Sequence, residues 1–137
     1  MGYCVLVTND TEDNIAYDVL KIRLNDKLWP IYIRTPFKKK LVVNYKVLFY
    51  VAGKNKLKQN IVASSIISDI NYDFDDKKIF CELKLEEINF FKNPVDIKLV
   101  AQKLDFIKNK YFYGLSFVGG CNIIEKKDYD SIINLSK

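Results

Sequence analysis

The pattern of apolar and polar positions predicts a domain built mainly from β-strands. The Val- and Leu-rich run Tyr3–Thr8 is typical of a buried first strand. Residues 28–34 also favour an extended conformation, because Trp29 precedes a proline and the following isoleucines are β-branched. Residues 46–52 (KVLFYVA) predict another buried strand, which ends at Gly53.

The middle of the chain predicts two longer strands, the second with a change of phase. Residues 59–70 form one strand pattern, and alternation of apolar with polar side chains resumes at Ile79. After Glu86 and Glu87 the alternation continues in the opposite phase, which indicates a β-bulge that bends the strand. We expect the strand to end at Asn93 and Pro94.

Three segments have the spacing of helices. Asn9, with Glu12 three residues later, resembles a capping box before a helix whose apolar face includes Ile15 and Leu20. The apolar stripe of residues 99–107 predicts a second helix. Tyr129, Ile132 and Ile133, at i, i+3 and i+4, predict a third helix.

Tyr113 to Val118 predicts the last strand, stopped by Gly119 and Gly120. The predicted order is therefore β-α-β-β-β-β-α-β-α. This order indicates an α+β domain, a small mixed barrel of five to six strands with helices packed around it.

Composition narrows the chemistry that this chain can perform. The 137 residues are near the usual length of one domain, and 49% are apolar. The absence of histidine removes the commonest general base and a frequent zinc ligand. The cysteines are too dispersed for a metal site and suit a reducing compartment. We therefore expect a cytoplasmic, non-enzymatic protein with no metal, no cofactor and no membrane segment.

Charge is distributed unevenly along the chain. Residues 27–68 contain no Asp or Glu but nine basic residues, whereas the whole chain has a net charge of +5. One positive face is the footprint expected for a phosphate-backbone partner, although a solvated lysine surface is the alternative. The candidate phosphate contacts within this segment are Lys38, Lys39, Lys40, Lys54, Lys56 and Lys58.

Several motifs, in order and with compatible spacing, resemble the EVE domain family of the PUA-like group. The first is the opening strand, residues 3–9 (YCVLVTN), and the second is Trp29 with Pro30, where the family has Trp-Gly. Residues 104–110 (LDFIKNK) are similar to the family's L-x-F-I-x-N-K segment, and Tyr113 falls where a Trp follows. Residues 127–133 (KDYDSII) resemble its closing helix. The resemblance covers nearly all of residues 1–137, read as a single domain.

This resemblance implies a PUA-like pseudo-barrel whose cleft holds one extruded nucleobase, usually a modified one. The partner would be RNA or DNA, and the sequence does not distinguish them. A flipped base costs a few kcal/mol of unstacking, which stacking and edge hydrogen bonds must recover. The candidate nucleobase-binding residues are Trp29, Tyr113, Tyr111, Thr8, Asn9 and Ser116.

Other interpretations of these residues remain open. The alternative role for Trp29 is to cover one end of a barrel core. Asn9 is equally suited to capping a helix. An RNA or nucleoside hydrolase of the related ASCH kind would use Lys, Thr and Glu side chains. A protein-interaction module would show no salt-dependent binding to oligonucleotides. We expect a monomer or a weak homodimer.

Overall fold

A computed structural model describes all 137 residues. The chain forms one six-stranded sheet with helices packed on it. Three 3₁₀ turns lie at Lys38–Lys40, Ala101–Lys103 and Tyr113–Phe117. The strands and helices are β1 (Tyr3–Thr8), α1 (Ala16–Asp26), β2 (Leu28–Tyr32), β3 (Lys46–Val51), β4 (Asn60–Asn71), β5 (Ile79–Asp96), α2 (Ile97–Val100), β6 (Cys121–Ile124) and α3 (Lys126–Leu135).

The sheet is a curled half-barrel with two free edges. Its strand order is β2-β5-β4-β3-β1-β6, so β2 and β6 form the edges. β1 runs parallel to β3, and the other neighbours are antiparallel. Although β2 is three positions from β3, the rings of Trp29 and Phe49 lie 4.8 Å apart, because the curl brings these strands face to face.

Each face of the sheet has its own apolar cluster. The inner cluster includes Trp29, Phe49 and, from α1, Leu20. The other cluster includes Tyr50 and Ile132, which α3 contributes. β1 is covered on both faces and all six of its residues are buried, which explains its continuous apolar pattern.

The predicted β-bulge in β5 is confirmed. Ser64 pairs with Asn89 and Ile66 pairs with Glu86, so β5 has one more residue than β4 between these pairs. Glu87 adopts the left-handed conformation there, with φ at 51°. The extra residue accounts for the change of phase in the sequence.

The prediction that β5 ends at Asn93 and Pro94 is wrong, because the strand continues to Asp96. Ile61 pairs with Val95 and Ala63 pairs with Phe90. Between these two pairs lies one residue on β4 but four residues on β5. Pro94 lies in this second irregularity, where the ladder does not need its missing amide donor.

The predicted capping box is also wrong. α1 begins at Ala16, after Ile15, which makes no side-chain capping bond. Asp10 supplies the cap from further away, because its Oδ1 accepts a hydrogen bond from the Ala16 amide at 2.8 Å. Asn9 is exposed and precedes the helix by seven residues.

Residues 99–107 do not form the continuous helix that their apolar stripe predicts. α2 has four residues and passes into a 3₁₀ turn, and Leu99 is 77% exposed. Two side chains replace the missing helical hydrogen bonds. The Asp128 carboxylate accepts from the amides of Asp105 and Phe106, and Lys110 Nζ donates to two carbonyls at 2.6 and 3.0 Å.

The predicted strand over residues 113–118 is a 3₁₀ turn instead. The last strand is β6, which follows the glycine pair and pairs with β1. Phe117 is nevertheless buried, and its ring stacks on that of Tyr50 with the ring centres 3.7 Å apart. α3 forms where the sequence predicts it. No helix is long and apolar enough to cross a bilayer.

Candidate nucleic-acid interface

A pocket of about 240 Å³ lies where the two free edges of the sheet approach each other. We call it the seam pocket. β2 forms one side, and the residues just before β6 form the other. The end of β1 and the side of α1 complete it. Its lining consists of Val7, Asn9, Asp10, Thr11, Arg23, Trp29, Pro30, Ile31, Tyr32, Thr35, Gly119 and Gly120.

A glycine pair brings the two edges together. Gly119 and Gly120 have φ angles of +92° and +95°, which L side chains rarely adopt. A Cβ on Gly119 would lie 2.8 Å from Cδ of Pro36, in the segment after β2. The Gly120 carbonyl accepts from the Val7 amide at 2.9 Å. The wall of the pocket at this point is therefore bare backbone.

An arginine on α1 is the principal charged group of the seam pocket. Arg23 is half-buried, and its Cζ lies 4.9 Å from the centre of the Trp29 ring. Its Nη2 donates to the Tyr32 hydroxyl at 3.5 Å. Desolvation lowers the pKa of Arg23, and the Tyr32 hydroxyl partly offsets this effect. The three salt bridges of the chain all involve lysines, so no carboxylate compensates this guanidinium.

Asp10 lines the same pocket, but the backbone engages both of its oxygens. Oδ1 accepts from the Ala16 amide at 2.8 Å, and Oδ2 accepts from the Lys54 amide at 3.3 Å. Asp10 thus fixes the start of α1 and the loop after β3 to the end of β1. It is a structural residue, and each of its oxygens already accepts one hydrogen bond.

Backbone donors around the pocket are free. The amides of Asn9, Asp10, Gly119 and Gly120 donate no hydrogen bond within the chain. These four residues line the seam pocket together with Arg23 and Tyr32. The seam pocket thus contains several hydrogen-bond donors that no group of the chain uses.

Two of the predicted base-binding residues belong to the seam pocket. Trp29 is 2% exposed, so it forms a buried wall, whereas Tyr32 beside it is 45% exposed. Asn9 is exposed at the rim. Thr8 is buried and its hydroxyl donates to the Tyr50 carbonyl at 3.4 Å, so Thr8 supports the rim without lining it.

Tyr111 and Tyr113 lie at a second depression, of about 340 Å³, which we call the aromatic shelf. Tyr111 is 91% exposed. The backbone amides of Tyr111 and Phe112 both donate hydrogen bonds to Oδ1 of Asn109. The Tyr113 hydroxyl bonds Gln59 Oε1 at 3.1 Å. Ser116 lies outside this depression, with its hydroxyl donating to a backbone carbonyl at 3.4 Å. The predicted base-binding set is therefore divided between two places.

The seam pocket and the aromatic shelf share one end of the sheet. β1 and β3 are parallel neighbours that end together, with Thr8 paired to Val51. Asn9 follows β1 and lines the seam pocket. Gln59 belongs to the shelf, and its backbone amide donates a hydrogen bond to the Val51 carbonyl at 2.7 Å. The carboxyl ends of these two strands thus position both sites.

The predicted phosphate contacts lie on segments that flank the seam pocket. Lys54, Lys56 and Lys58 are exposed on the loop after β3, which Asp10 anchors. The 3₁₀ turn Lys38–Lys40 begins three residues after Thr35, which lines the pocket. Lys39 and Lys40 are exposed, and Lys38 is half-buried over Phe80.

Sequence reasoning missed Arg23, Tyr32 and Thr35. The available signal for Arg23 was its position on α1, one residue before the buried Leu24 and three after the buried Leu20. A charged residue at the border of an apolar stripe points along the protein surface, where its stem packs. The curl that brings β2 beside α1 could not be read from that pattern.

Comparisons with known proteins identify the fold. No protein-family model and no curated protein matches the chain. Among solved structures, the chain is similar to the N-terminal domain of Staphylothermus marinus McrB, with a TM-score of 0.68 and 12% identity over 96% of this chain and 93% of that one. The chain has a PUA-like fold. It is also similar to Rpa0253 from Rhodopseudomonas palustris, with a TM-score of 0.61 and 11% identity over 99% and 93% of the two chains. The PUA-like prediction is confirmed, and membership of the EVE family stays a prediction.

Proposed function

We propose that this chain is a nucleic-acid-binding domain that holds one unstacked nucleobase in the seam pocket. The observation that carries the proposal is the pocket itself, which combines an aromatic wall, free donors and flanking lysines in a PUA-like fold. The resemblance to base-binding EVE domains supports the same ligand. The chain binds its partner and does not transform it.

The size of the seam pocket favours a single base. Its volume of about 240 Å³ is below the roughly 300–1,000 Å³ usual for drug-sized ligands. Unstacking a base costs a few kcal/mol. Stacking on an aromatic side chain returns about 1–3 kcal/mol, and edge hydrogen bonds add to it. The exposed ring of Tyr32 supplies the aromatic stacking surface, and the buried Trp29 completes the wall of the pocket. A methyl group on the base would extend the contact with Tyr32.

The lysines on either side of the pocket supply affinity without reading sequence. Those of the turn Lys38–Lys40 and the loop after β3 can each neutralise a phosphate and release its counterion. Phosphate contacts fix the position of the strand, whereas base contacts carry specificity. Tyr111 and Tyr113 on the aromatic shelf are placed to stack a neighbouring base at the same end of the sheet.

A hydrolase of the ASCH kind receives no comparable support. The seam pocket contains Thr11 and Thr35 but neither a lysine nor a glutamate side chain. The residue types that such an enzyme needs are thus not gathered there. Incubation with RNA and with acylated cytidine should give no turnover, and measurable turnover would contradict this part of the proposal.

Filling the pocket tests the proposal. Asn9→Phe places a ring at the pocket rim, and Asn14→Phe places the same ring on the same exposed loop outside the pocket. Affinity would be measured by fluorescence anisotropy on oligonucleotides that differ in one modified base. Asn9→Phe should weaken binding of the preferred oligonucleotide about five- to 150-fold, the loss of about 1–3 kcal/mol of base stacking. Asn14→Phe should bind like the wild type, and equal affinity of both variants would refute the pocket assignment.

A further inference from the structure

The guanidinium of Arg23 packs over the Trp29 ring and forms no salt bridge. The Trp29 ring lies 4.9 Å from its Cζ, and the Tyr32 hydroxyl holds one of its nitrogens at 3.5 Å. Guanidinium has five N–H donors in one plane. Only one of its nitrogens has an acceptor within the chain, and no carboxylate forms a salt bridge with it. Arg23 therefore presents unused donors within a small pocket.

We propose that Arg23 makes the seam pocket selective for a base edge that carries two adjacent hydrogen-bond acceptors. Guanine offers such a pair in O6 and N7, and cytosine offers one in O2 and N3. Arginine binds an adjacent acceptor pair with two parallel hydrogen bonds, as it does on guanine in DNA grooves. This inference rests on the proposed function, since it specifies which bases the same pocket accepts.

Adenine and uracil or thymine fit this arrangement poorly. Donors and acceptors alternate along their edges, so two parallel donors from one guanidinium would meet a donor on the base. The backbone donors of the glycine pair do not correct this mismatch. The free amides of Gly119 and Gly120 are further donors, and the oxygens of Asp10 are engaged by backbone amides.

A base edge is a better partner for Arg23 than a backbone phosphate. Arg23 is half-buried inside the pocket, whereas Lys54, Lys56 and Lys58 stand exposed beside it. A phosphate remains attached to the strand and is strongly hydrated. Exposed lysines can bind it with a smaller desolvation cost than a half-buried arginine can. An unstacked base can enter the pocket and bring its edge to the planar guanidinium.

The test measures affinity for single-stranded oligonucleotides with constant flanks and one variable central base. Guanine or cytosine should bind about five- to 150-fold more tightly than adenine or thymine, which corresponds to about 1–3 kcal/mol at 1.4 kcal/mol per tenfold. Replacing guanine by 7-deazaguanine, or cytosine by 3-deazacytosine, removes one acceptor of the pair. The analogue that loses the advantage identifies the edge that is read.

Variants at Arg23 separate base recognition from simple charge. Arg23→Gln should abolish the preference and bring all four bases to similar affinity. Arg23→Lys should keep the charge but also lose the preference, because an ammonium lacks the planar pair of donors. Lys21→Gln, on the exposed side of the same helix, removes an equal charge and should leave the preference unchanged. Thermal melting of each variant confirms that it is folded.

Three outcomes would overturn the inference, and they are distinguishable. Wild-type binding with no preference among the four bases would refute base selection while leaving nucleic-acid binding intact. A uniform loss for all four bases in Arg23→Gln, with the salt slope reduced by about 0.7–0.9, would show that Arg23 contacts a phosphate. Failure of the wild type to bind any oligonucleotide would refute the proposed function and this inference with it.

Discussion

Trp29 shows how one residue can satisfy two interpretations. Its sequence context suits both a pocket wall and a core aromatic, and the structure places it at their boundary. The indole is 2% exposed and packs on Phe49, yet it lines the seam pocket below Arg23. The exposed surface of such a ring depends on how two distant edges of the sheet meet, which no local pattern encodes.

Truncating Trp29 and Tyr113 should therefore have different effects. Trp29→Ala should lower the free energy of unfolding by about 3–5 kcal/mol, since it empties a core site. Tyr113 is only half-buried, so Tyr113→Ala should cost much less stability and reduce oligonucleotide affinity if the shelf stacks a base. Chemical denaturation and affinity of the folded fraction would be measured on both. A Tyr113→Ala variant as unstable as Trp29→Ala would contradict the placement of these rings.

Buried thiols make the fold sensitive to alkaline pH. Desolvation raises the pKa of Cys81 from 9.0 to about 11 and that of Cys121 to about 12. Because the folded-state pKa values are raised, the neutral thiols contribute stability that is fully present below pH 9. That stability is lost as pH rises toward 11 and 12, since the unfolded thiols ionise first.

The free energy of unfolding should thus fall between pH 9 and pH 11. Cys81→Ala removes one of these thiols, so the variant should lose less stability than the wild type over this range. Urea denaturation at a series of pH values measures both curves, and the shared ionisation of tyrosines and lysines cancels in their difference. Parallel curves would mean that Cys81 does not titrate differently in the two states.

At the level of elements, apolar patterning predicted β1 to β5 but neither β6 nor the segments fixed by distant side chains. The continuous pattern of β1 and the phase change at Glu87 are local signals, and both predictions are confirmed. The start of α1 depends on Asp10, and the end of α2 depends on Asp128 and Lys110. These hydrogen bonds span up to 23 residues, so a local capping pattern gives the wrong boundaries.

The bulge in β5 provides a direct test of backbone conformation. Glu87 has a φ of 51°, a left-handed conformation that is costly for a side chain with a Cβ. Glu87→Gly should therefore be neutral or stabilising by up to about 1 kcal/mol. The neighbouring Glu86→Gly should be destabilising by about 0.5–1 kcal/mol, because this strand residue has no positive φ to relieve. Denaturation midpoints measure both, and the reverse order would contradict the bulge position.

At the level of the whole molecule, the candidate site is assembled from five separate segments. The end of β1, α1, β2, the turn before Lys38 and the glycine pair before β6 meet only because the sheet curls. The sequence indicated the basic segment and several of the residues involved. It could not indicate Arg23, whose role depends on β2 lying beside α1 and on the lack of a carboxylate partner.

The basic turn should set the salt dependence of binding. Replacing Lys38, Lys39 and Lys40 by Ala should reduce the slope of log affinity against log salt by about 0.7–0.9 for each phosphate that these lysines neutralise. The base preference should survive, because the pocket is unchanged. A control variant removes three exposed lysines at the C-terminal helix and terminus, namely Lys126, Lys127 and Lys137. Equal slopes for the two variants would show that the turn is not at the interface.

The most direct test of the account is an NMR titration of the backbone amides with an oligonucleotide that binds. If a base enters the seam pocket, the largest chemical-shift changes should fall on Asn9, Gly119 and Gly120 and on the indole N–H of Trp29. Smaller changes should follow the lysine segments, which contact phosphates. Changes confined to the lysine segments, with the signals of the glycine pair and the indole unchanged, would show that the base does not enter this pocket.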